Sequence, residues 1–321
     1  MINDQNDNNM NDTLFKLTDY SQLPEWDEYE IYHDESKANK LIHGYLLVPV
    51  RVKANLLEAL RLIREKYNCD SKLHYFDLSG KKENIKHKSV RDLIYLMTEA
   101  FKSKRHDKQL WGVCPPRCKF GIFIKKNINR MNSKYFAGTE NPSRSEIDIR
   151  KIETLLRIGL KGVLHNLFDE NSKIKISGFY TDGLSWVRGF DKERVLERLY
   201  KEKRTYIDFD NTLDIKPIFT NHKDKRCLDY DRAQLLQICD CLLGAFIYSI
   251  AECDQETVKA KIAKPIKEIM RKAEIRKSNF KHSSHYRAFS ATQAHLIENE
   301  WCYEHLEVSK YIDKMQLKLF E

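Results

Sequence analysis

The sequence predicts an α/β protein, a mixed sheet flanked by helices. Three observations carry this. Glu28 to Ser36 and Leu41 to Val48 are two apolar runs joined by a short polar turn, the pattern of a β-hairpin. Strand-like apolar segments then alternate with stretches whose apolar residues recur at helical spacing. Finally, a late helix starting near Asp231 is apolar on almost all sides and must lie in the core. With 321 residues, 41% of them hydrophobic and 11% aromatic, the chain is long enough for one large core or one core plus an appended module.

After the hairpin, Lys53 to Tyr67 places Leu56, Leu57, Leu60 and Ile63 at helical spacing. A connecting segment, Leu73 to Leu78, contains His74 and leads to Ser79, Gly80 and a basic loop. Ser89 to Phe101 reads as a second helix, with Val90, Leu93, Ile94, Met97 and Phe101 on one face. A short strand follows at Phe120–Ile124, and residues 127–144, polar and carrying Gly138 and Pro142, read as a loop.

A long helix from about Glu146 to Phe168 precedes a strand, Lys173 to Tyr180, that ends in Thr181 and Asp182. Phe190 to Glu202 is helical in pattern, and Ile215 to Thr220 is a strand whose Pro217 suggests an edge position. Past the apolar helix the chain is basic and helical from about residue 256, with Pro265 in a first turn and Ile266, Met270 and Ala273 inward. The expected organisation is a flexible lead-in (1–24), an α/β domain (25–255) and a basic C-terminal helical extension (256–321).

A mean hydropathy of −0.62 with 32% charged residues argues against membrane spans, and the longest apolar run, Leu242 to Ala251, is too short to cross a bilayer. The N-terminus is rich in Asn and Asp, unlike a signal peptide. Eight scattered cysteines suit a reducing cytoplasmic setting better than a secreted disulfide framework. Cys114 with Cys118, and His282 with His285 followed by Cys302 with His305, are ligand-like pairs, but neither set repeats a regular zinc pattern. Cys239 and Cys241 read as core residues.

The formal charge of +9 makes a polyanion the natural partner. Much of the excess lies between Lys259 and Arg287, where Lys264, Lys267, Arg271 and Lys272 lie nearer solvent in a helical reading and, with Arg276 and Lys277, are the candidate nucleic-acid contacts. Phe280, Tyr286 and Phe289 add aromatic surface, so nucleic-acid contact through phosphate neutralisation and stacking is expected there, giving affinity rather than base specificity. A solvated helix face is the plainer alternative.

Three acids stand out: Asp34 ending the first strand, Asp182 ending a later one, and Asp240 within the apolar helix. Each has an ordinary reading. Asp34, Glu35 and Ser36 are common turn residues, Asp182 with Gly183 is a turn pair, and a lysine or arginine could neutralise Asp240. If the strands are neighbours and the helix crosses their sheet, the three converge. Clustered carboxylates repel unless a cation neutralises them, and hard oxygen ligands select Mg2+ or Mn2+ over zinc. Two such ions about 4 Å apart would activate water and stabilise the leaving oxygen of a phosphodiester.

At these residues the chain resembles a family. Tyr32 to Ser36, Leu73 to Phe76, Tyr180 to Asp182, and Leu235 to Ala245 look like the ordered motifs of domain-of-unknown-function family 3800, over about residues 27 to 252. The resemblance implies a ribonuclease H-like fold and metal-dependent nuclease activity, and the family's usual company suggests phage defence or a mobile element. Asp34, Asp182 and Asp240 would then be metal ligands and catalytic acids. Glu35 would be a further ligand or supporting base, and His74 a proton carrier, a phosphate contact or a structural residue. Two departures matter. Lys37 stands where the family often has Gly, and Lys72 where it often has an acid, leaving a gap in the metal shell that Glu35, Asp77 or Asp229 could fill. The expectation is a Mg2+- or Mn2+-dependent nuclease acting on RNA or DNA. The alternative is a degenerate module that binds nucleic acid, a partner protein or a second copy without cutting.

Overall fold

The computed structural model describes residues 26–36, 42–79, 82–102, 118–125, 143–168, 173–182, 189–220, 228–251, 257–279, 288–297 and 300–306. The expected lead-in, most of the 127–144 loop, Cys114, His282 and His285 lie outside them. The strands are β1 (Asp27–Glu35), β2 (Ile42–Pro49), β3 (Lys119–Lys125), β4 (Ile174–Asp182), β5 (Ile207–Phe209), β6 (Ile215–Ile218), β7 (Phe289–Ile297) and β8 (Glu300–His305). The helices are α1 (Lys53–Tyr67), α2 (Ile85–Lys102), α3 (Arg144–Leu167), α4 (Lys192–Glu202), α5 (Leu228–Ala251) and α6 (Val258–Asn279).

All eight strands form one mixed sheet in the order β5-β4-β1-β2-β3-β7-β8, with β6 also paired to β4. β1 and β2 form the expected antiparallel hairpin, and β2 pairs antiparallel with β3. On its other side β1 pairs with β4 in parallel. The chain therefore leaves β1 in one direction along the sheet and returns, through α3, to the other. Such a reversal opens a crevice at the carboxyl ends of the two central strands, which is where ligands bind in open α/β sheets.

Each face of the sheet is covered. Tyr32, Leu46, Val48, Phe120 and Ile122 pack against α1, α2, α5 and α6. Tyr29, Ile31, Tyr45, Leu47 and Phe123 pack against α3 and α4. Burial on both faces explains why β2 reads as a continuous apolar run rather than an alternation. Ser143 and Glu146 form a capping box that starts α3, and the Asp191 side chain caps α4.

The register of β4 against β1 contains a bulge: Tyr29 pairs with Ile176 but Glu30 with Gly178, leaving Ser177 as an extra residue. Ile174 and Ile176 face α3 and α4, and so does Phe179, while Tyr180 faces α5. A bulge adds one residue to one strand and so reverses the phase of the alternation beyond it. Without it, Asp182 would share the face of Ile176.

The C-terminal segment differs from expectation. It supplies one helix and then β7 and β8, which extend the main sheet through parallel pairing of β7 with β3. It is therefore neither wholly helical nor an appendage beyond residue 255. The alternation at Ser290, Thr292 and Ala294 hid this strand because both of its faces carry small or polar residues. Phe289, expected to contact a polyanion, is buried with its ring 6.0 Å from that of Phe120. Helix α6 begins at Val258, so Pro265 lies inside it. Ile266 and Met270 are buried, as expected, and Lys264 is exposed while Lys267 is half-buried. The side chains of Arg271, Lys272, Arg276 and Lys277 lie outside the described residues.

Helix α5 is the single described element long and apolar enough to cross a membrane by length and composition, between Asp229 and Ile250, and its apolar 18-residue window is buried inside the fold. Cys239 and Cys241 are buried in it, as expected of core residues. Two close approaches seat it. A Cβ on Gly44 of β2 would come 3.2 Å from Leu243 Cβ, and a Cβ on Gly244 would come 2.4 Å from Tyr75 Cβ. Only glycine at 244 lets the helix backbone lie so close to the 73–76 segment.

Candidate active site

Asp34 is next to last in β1 and Asp182 is last in β4, on the two strands that flank the crevice. Along β1, Tyr32 faces α5, so Asp34 two residues later faces it too. Along β4 the bulge gives Asp182 the same side as Tyr180. The rings of Tyr32 and Tyr180 stack at 5.3 Å and form the floor beneath the two acids. Helix α5 crosses this face and brings in Asp240.

The Asp34 and Asp240 carboxyls lie beside each other. Burial, the charge of Asp240 and the charge of Asp182 together hold the Asp34 carboxyl well above the usual carboxylate range. Burial also raises Asp240, against the opposing pull of His74 and of the Tyr75 amide. The backbone N–H of Glu35 donates to Asp34 Oδ1 at 2.9 Å. The pair is thus two crowded acids, each raised chiefly by burial.

The 72–76 segment forms one wall. Gln237, one turn before Asp240, accepts from the Leu73 amide at 2.8 Å and from the Arg64 guanidinium at 2.7 Å, and donates to the Thr220 carbonyl at 2.9 Å. Asp240 Oδ2 accepts from the Tyr75 amide at 3.0 Å. The i, i+3 spacing on the helix therefore grips alternate amides of an extended segment. His74, between them, places Nε2 3.2 Å from Asp240 Oδ1 and Nδ1 3.4 Å from Asp77 Oδ1. Lys72 lies close enough for its charge to favour ionised Asp240, and its Nζ donates to Thr220 Oγ1 at 2.6 Å.

Compared with known proteins, the chain matches no family model, no curated protein and no solved structure.

The structure thus brings Asp34, Asp240 and His74 into contact and sets Asp182 within electrostatic reach of Asp34. Glu35 falls on the opposite face by strand alternation, beside Tyr45, whose phenol its charge helps to hold in the protonated form. That face also carries a buried polar cluster, in which His33 Nε2 meets His43 Nδ1 at 2.9 Å and His33 Nδ1 meets Thr181 Oγ1 at 3.0 Å. Among the described residues, no group of three or more His, Cys, Asp or Glu side chains is placed to hold a metal ion. The donor set in contact is two carboxylates, which suits Mg2+, since that ion keeps several waters and takes one or two carboxylates from a protein.

Gln237 was not among the residues the sequence pointed to, and Lys259 was marked only as the start of the basic stretch, not as a neighbour of the acids. Gln237 is a polar residue one turn from Asp240 on an otherwise apolar helix, and that was its signal. Lys259 opens α6 beside the site: the Tyr75 hydroxyl donates to its carbonyl at 2.9 Å, and its Nζ donates to the Phe76 carbonyl at 3.2 Å.

Proposed function

We propose that this chain is a divalent-metal-dependent nuclease of the ribonuclease H-like, family-3800 kind, cleaving phosphodiester bonds at the crevice between β1 and β4. The observation that carries the reading is the close Asp34–Asp240 carboxyl pair at the carboxyl end of β1, with Asp182 on the neighbouring parallel strand. Asp34 and Asp240 would hold Mg2+ or Mn2+, and an ion held there would polarise a phosphoryl oxygen and make a bound water more acidic.

The chain's own residues supply the rest. The Tyr75 and Glu35 amides fix the orientation of Asp240 and Asp34 by donating to one oxygen of each, and His74 faces the other oxygen of Asp240. His74 holds or passes a proton at Asp240 Oδ1. Asp182 contributes negative charge that attracts a cation to the pair. Lys72 and Lys259 at the rim attract substrate phosphates.

Lys72 favours a second reading, a module that binds nucleic acid without cutting it, because an ammonium close to Asp240 already supplies positive charge there. One experiment separates the two. Purified protein is incubated with labelled RNA and DNA in Mn2+, Mg2+ or EDTA, alongside Asp34→Asn and Asp240→Asn variants shown to be folded. Cleavage that needs the metal and both aspartates supports the nuclease. Cleavage that survives either substitution removes it, and metal-independent binding without cleavage selects the second reading.

A further inference from the structure

Helix α1 ends in a reversal that reaches the acids. Asn68, just past its last residue, takes the left-handed conformation with φ 49° and ψ 49°, and its amide bonds back to the carbonyls of the last turn. The reversal brings the Cys69 amide onto the Arg64 carbonyl at 2.9 Å and the following segment onto the Arg64 side chain. Arg64 is only 9% exposed. Its Nη1 donates to the Cys69 carbonyl at 2.9 Å and to the Ser71 carbonyl at 2.8 Å, and its Nη2 donates across to Gln237 Oε1 on α5 at 2.7 Å.

These bonds belong to one series. Residues 69–75 lie outside the sheet, so side chains rather than a neighbouring strand satisfy their backbone groups. They do so at alternate residues: Arg64 takes the carbonyls of Cys69 and Ser71, Gln237 the amide of Leu73, and Asp240 the amide of Tyr75. Leu73 and Tyr75 are buried, and His74 between them is half-buried with Nε2 3.2 Å from Asp240 Oδ1.

Stability and capping do not account for the arginine. Its three acceptors are uncharged oxygens, so these bonds repay little of the cost of burying a charge. Closing α1 does not need it, because Asn68 already does that. What the third bond adds is a tie between the end of α1 and the helix that carries Asp240.

Resting on the metal-site reading of Asp34 and Asp240, we propose that Arg64 is a positioning residue of that site. By locking Gln237 and the 69–71 carbonyls it sets the 73–75 wall where the Tyr75 amide and His74 meet Asp240. Cation affinity at the acids therefore depends on a guanidinium that acts on them only through Gln237 and the wall.

Two variants of the full-length protein test this. Arg64→Met keeps an unbranched apolar stem and removes every donor, whereas Arg64→Lys keeps the charge without the planar fork. Mn2+ affinity is read from the electron paramagnetic resonance signal of free Mn2+, with Asp240→Asn marking the loss that belongs to this site. Hydrogen exchange in EDTA compares residues 69–76 with β1 and β2. The expected result is Mn2+ binding weakened about tenfold or more in Arg64→Met and less in Arg64→Lys, with faster exchange in 69–76 while β1 and β2 keep their protection. Parental Mn2+ affinity in Arg64→Met overturns the proposal, and so does loss of protection in all three segments together. If Arg64→Met does not fold, Arg64→Lys decides: weaker Mn2+ binding with local loss of protection supports the proposal, and parental values overturn it. Cleavage in Mn2+ is scored separately. Arg64-dependent Mn2+ binding without cleavage by the parent removes the nuclease alone, and metal-dependent cleavage with Mn2+ binding indifferent to Arg64 removes the positioning role alone.

Discussion

The carboxyl of Asp34, near the end of β1, lies against that of Asp240, in the middle of α5. Burial and the charges of Asp240 and Asp182 raise the Asp34 carboxyl, so the site opposes full ionisation of the pair unless a cation is bound. Asp34→Asn should remove that opposition. In metal-free buffer near neutral pH it is expected to stabilise the fold by about 1–2 kcal/mol, or a few degrees in thermal midpoint, while abolishing metal-dependent cleavage. Scanning calorimetry with and without Mn2+ checks this. A variant less stable than the parent in EDTA would show that crowding of the two acids is not what the substitution relieves.

The sign of the pH dependence follows. Asp34 is raised in the fold, so the unfolded chain loses this proton at lower pH than the native state does. Its stabilising contribution is present below the ordinary carboxylate range and is lost as pH rises through the raised value. Mn2+ should reverse the trend above that value, because binding displaces the proton. Urea titrations across pH in EDTA and in Mn2+ measure both slopes.

Helix α5 can meet the 73–76 segment only because residue 244 has no side chain. Gly244→Ala would put a Cβ 2.4 Å from Tyr75 Cβ. The expected cost is about 1–3 kcal/mol of stability, with the Tyr75 amide moved off Asp240. Cleavage should fall further than the unfolded fraction accounts for, as paired urea and activity measurements would show.

Gln237 accepts two buried donors at one oxygen, the Leu73 amide and the Arg64 guanidinium. Gln237→Leu leaves both without that acceptor and is expected to destabilise by about 2–4 kcal/mol, since each unsatisfied donor costs about 1–3. Gln237→Glu keeps an acceptor and should lose less. A leucine variant as stable as the parent would mean the segment is held in another way.

On the far face, burial and the charges of Arg204 and Lys161 push the His165 imidazole down to about 4 from its ordinary 6.5. Between those values the unfolded chain binds a proton that the native state refuses. Stability from this residue is therefore complete above pH 6.5, falls as pH drops toward 4, and changes no further below it. His165→Asn should flatten the acid limb over that interval, read from urea midpoints at several pH values.

Much of the architecture is written in the residues themselves. Apolar spacing marks α1, α2, α3 and α4, and the turn between two apolar runs marks the β1–β2 hairpin, because those patterns depend on local geometry with periods of 3.6 and 2. Strand β5 is only three residues long and has no pattern to find. β7 and β8 escaped for a different reason: their membership of the sheet depends on pairing with β3, which is remote in sequence. The order of Asp34, Asp182 and Asp240 along the chain was likewise legible, as was the demand that an acid in so apolar a helix must have a partner.

Where those acids point is a matter of tertiary structure. Strict alternation from Ile174 and Ile176 sends Asp182 toward α3, and only the extra residue Ser177 turns it toward α5. Glu35, adjacent to Asp34 and chemically as suitable, is excluded by the same alternation acting on β1. The sequence by itself determined an α/β chain with carboxylates at its strand ends and a helix that must be buried. The bulge in β4 decided that Asp182 faces α5, and the glycine-tight seat of α5 decided that Asp240 meets Asp34, because side-chain direction in a strand depends on register with its neighbour as well as on position along the chain.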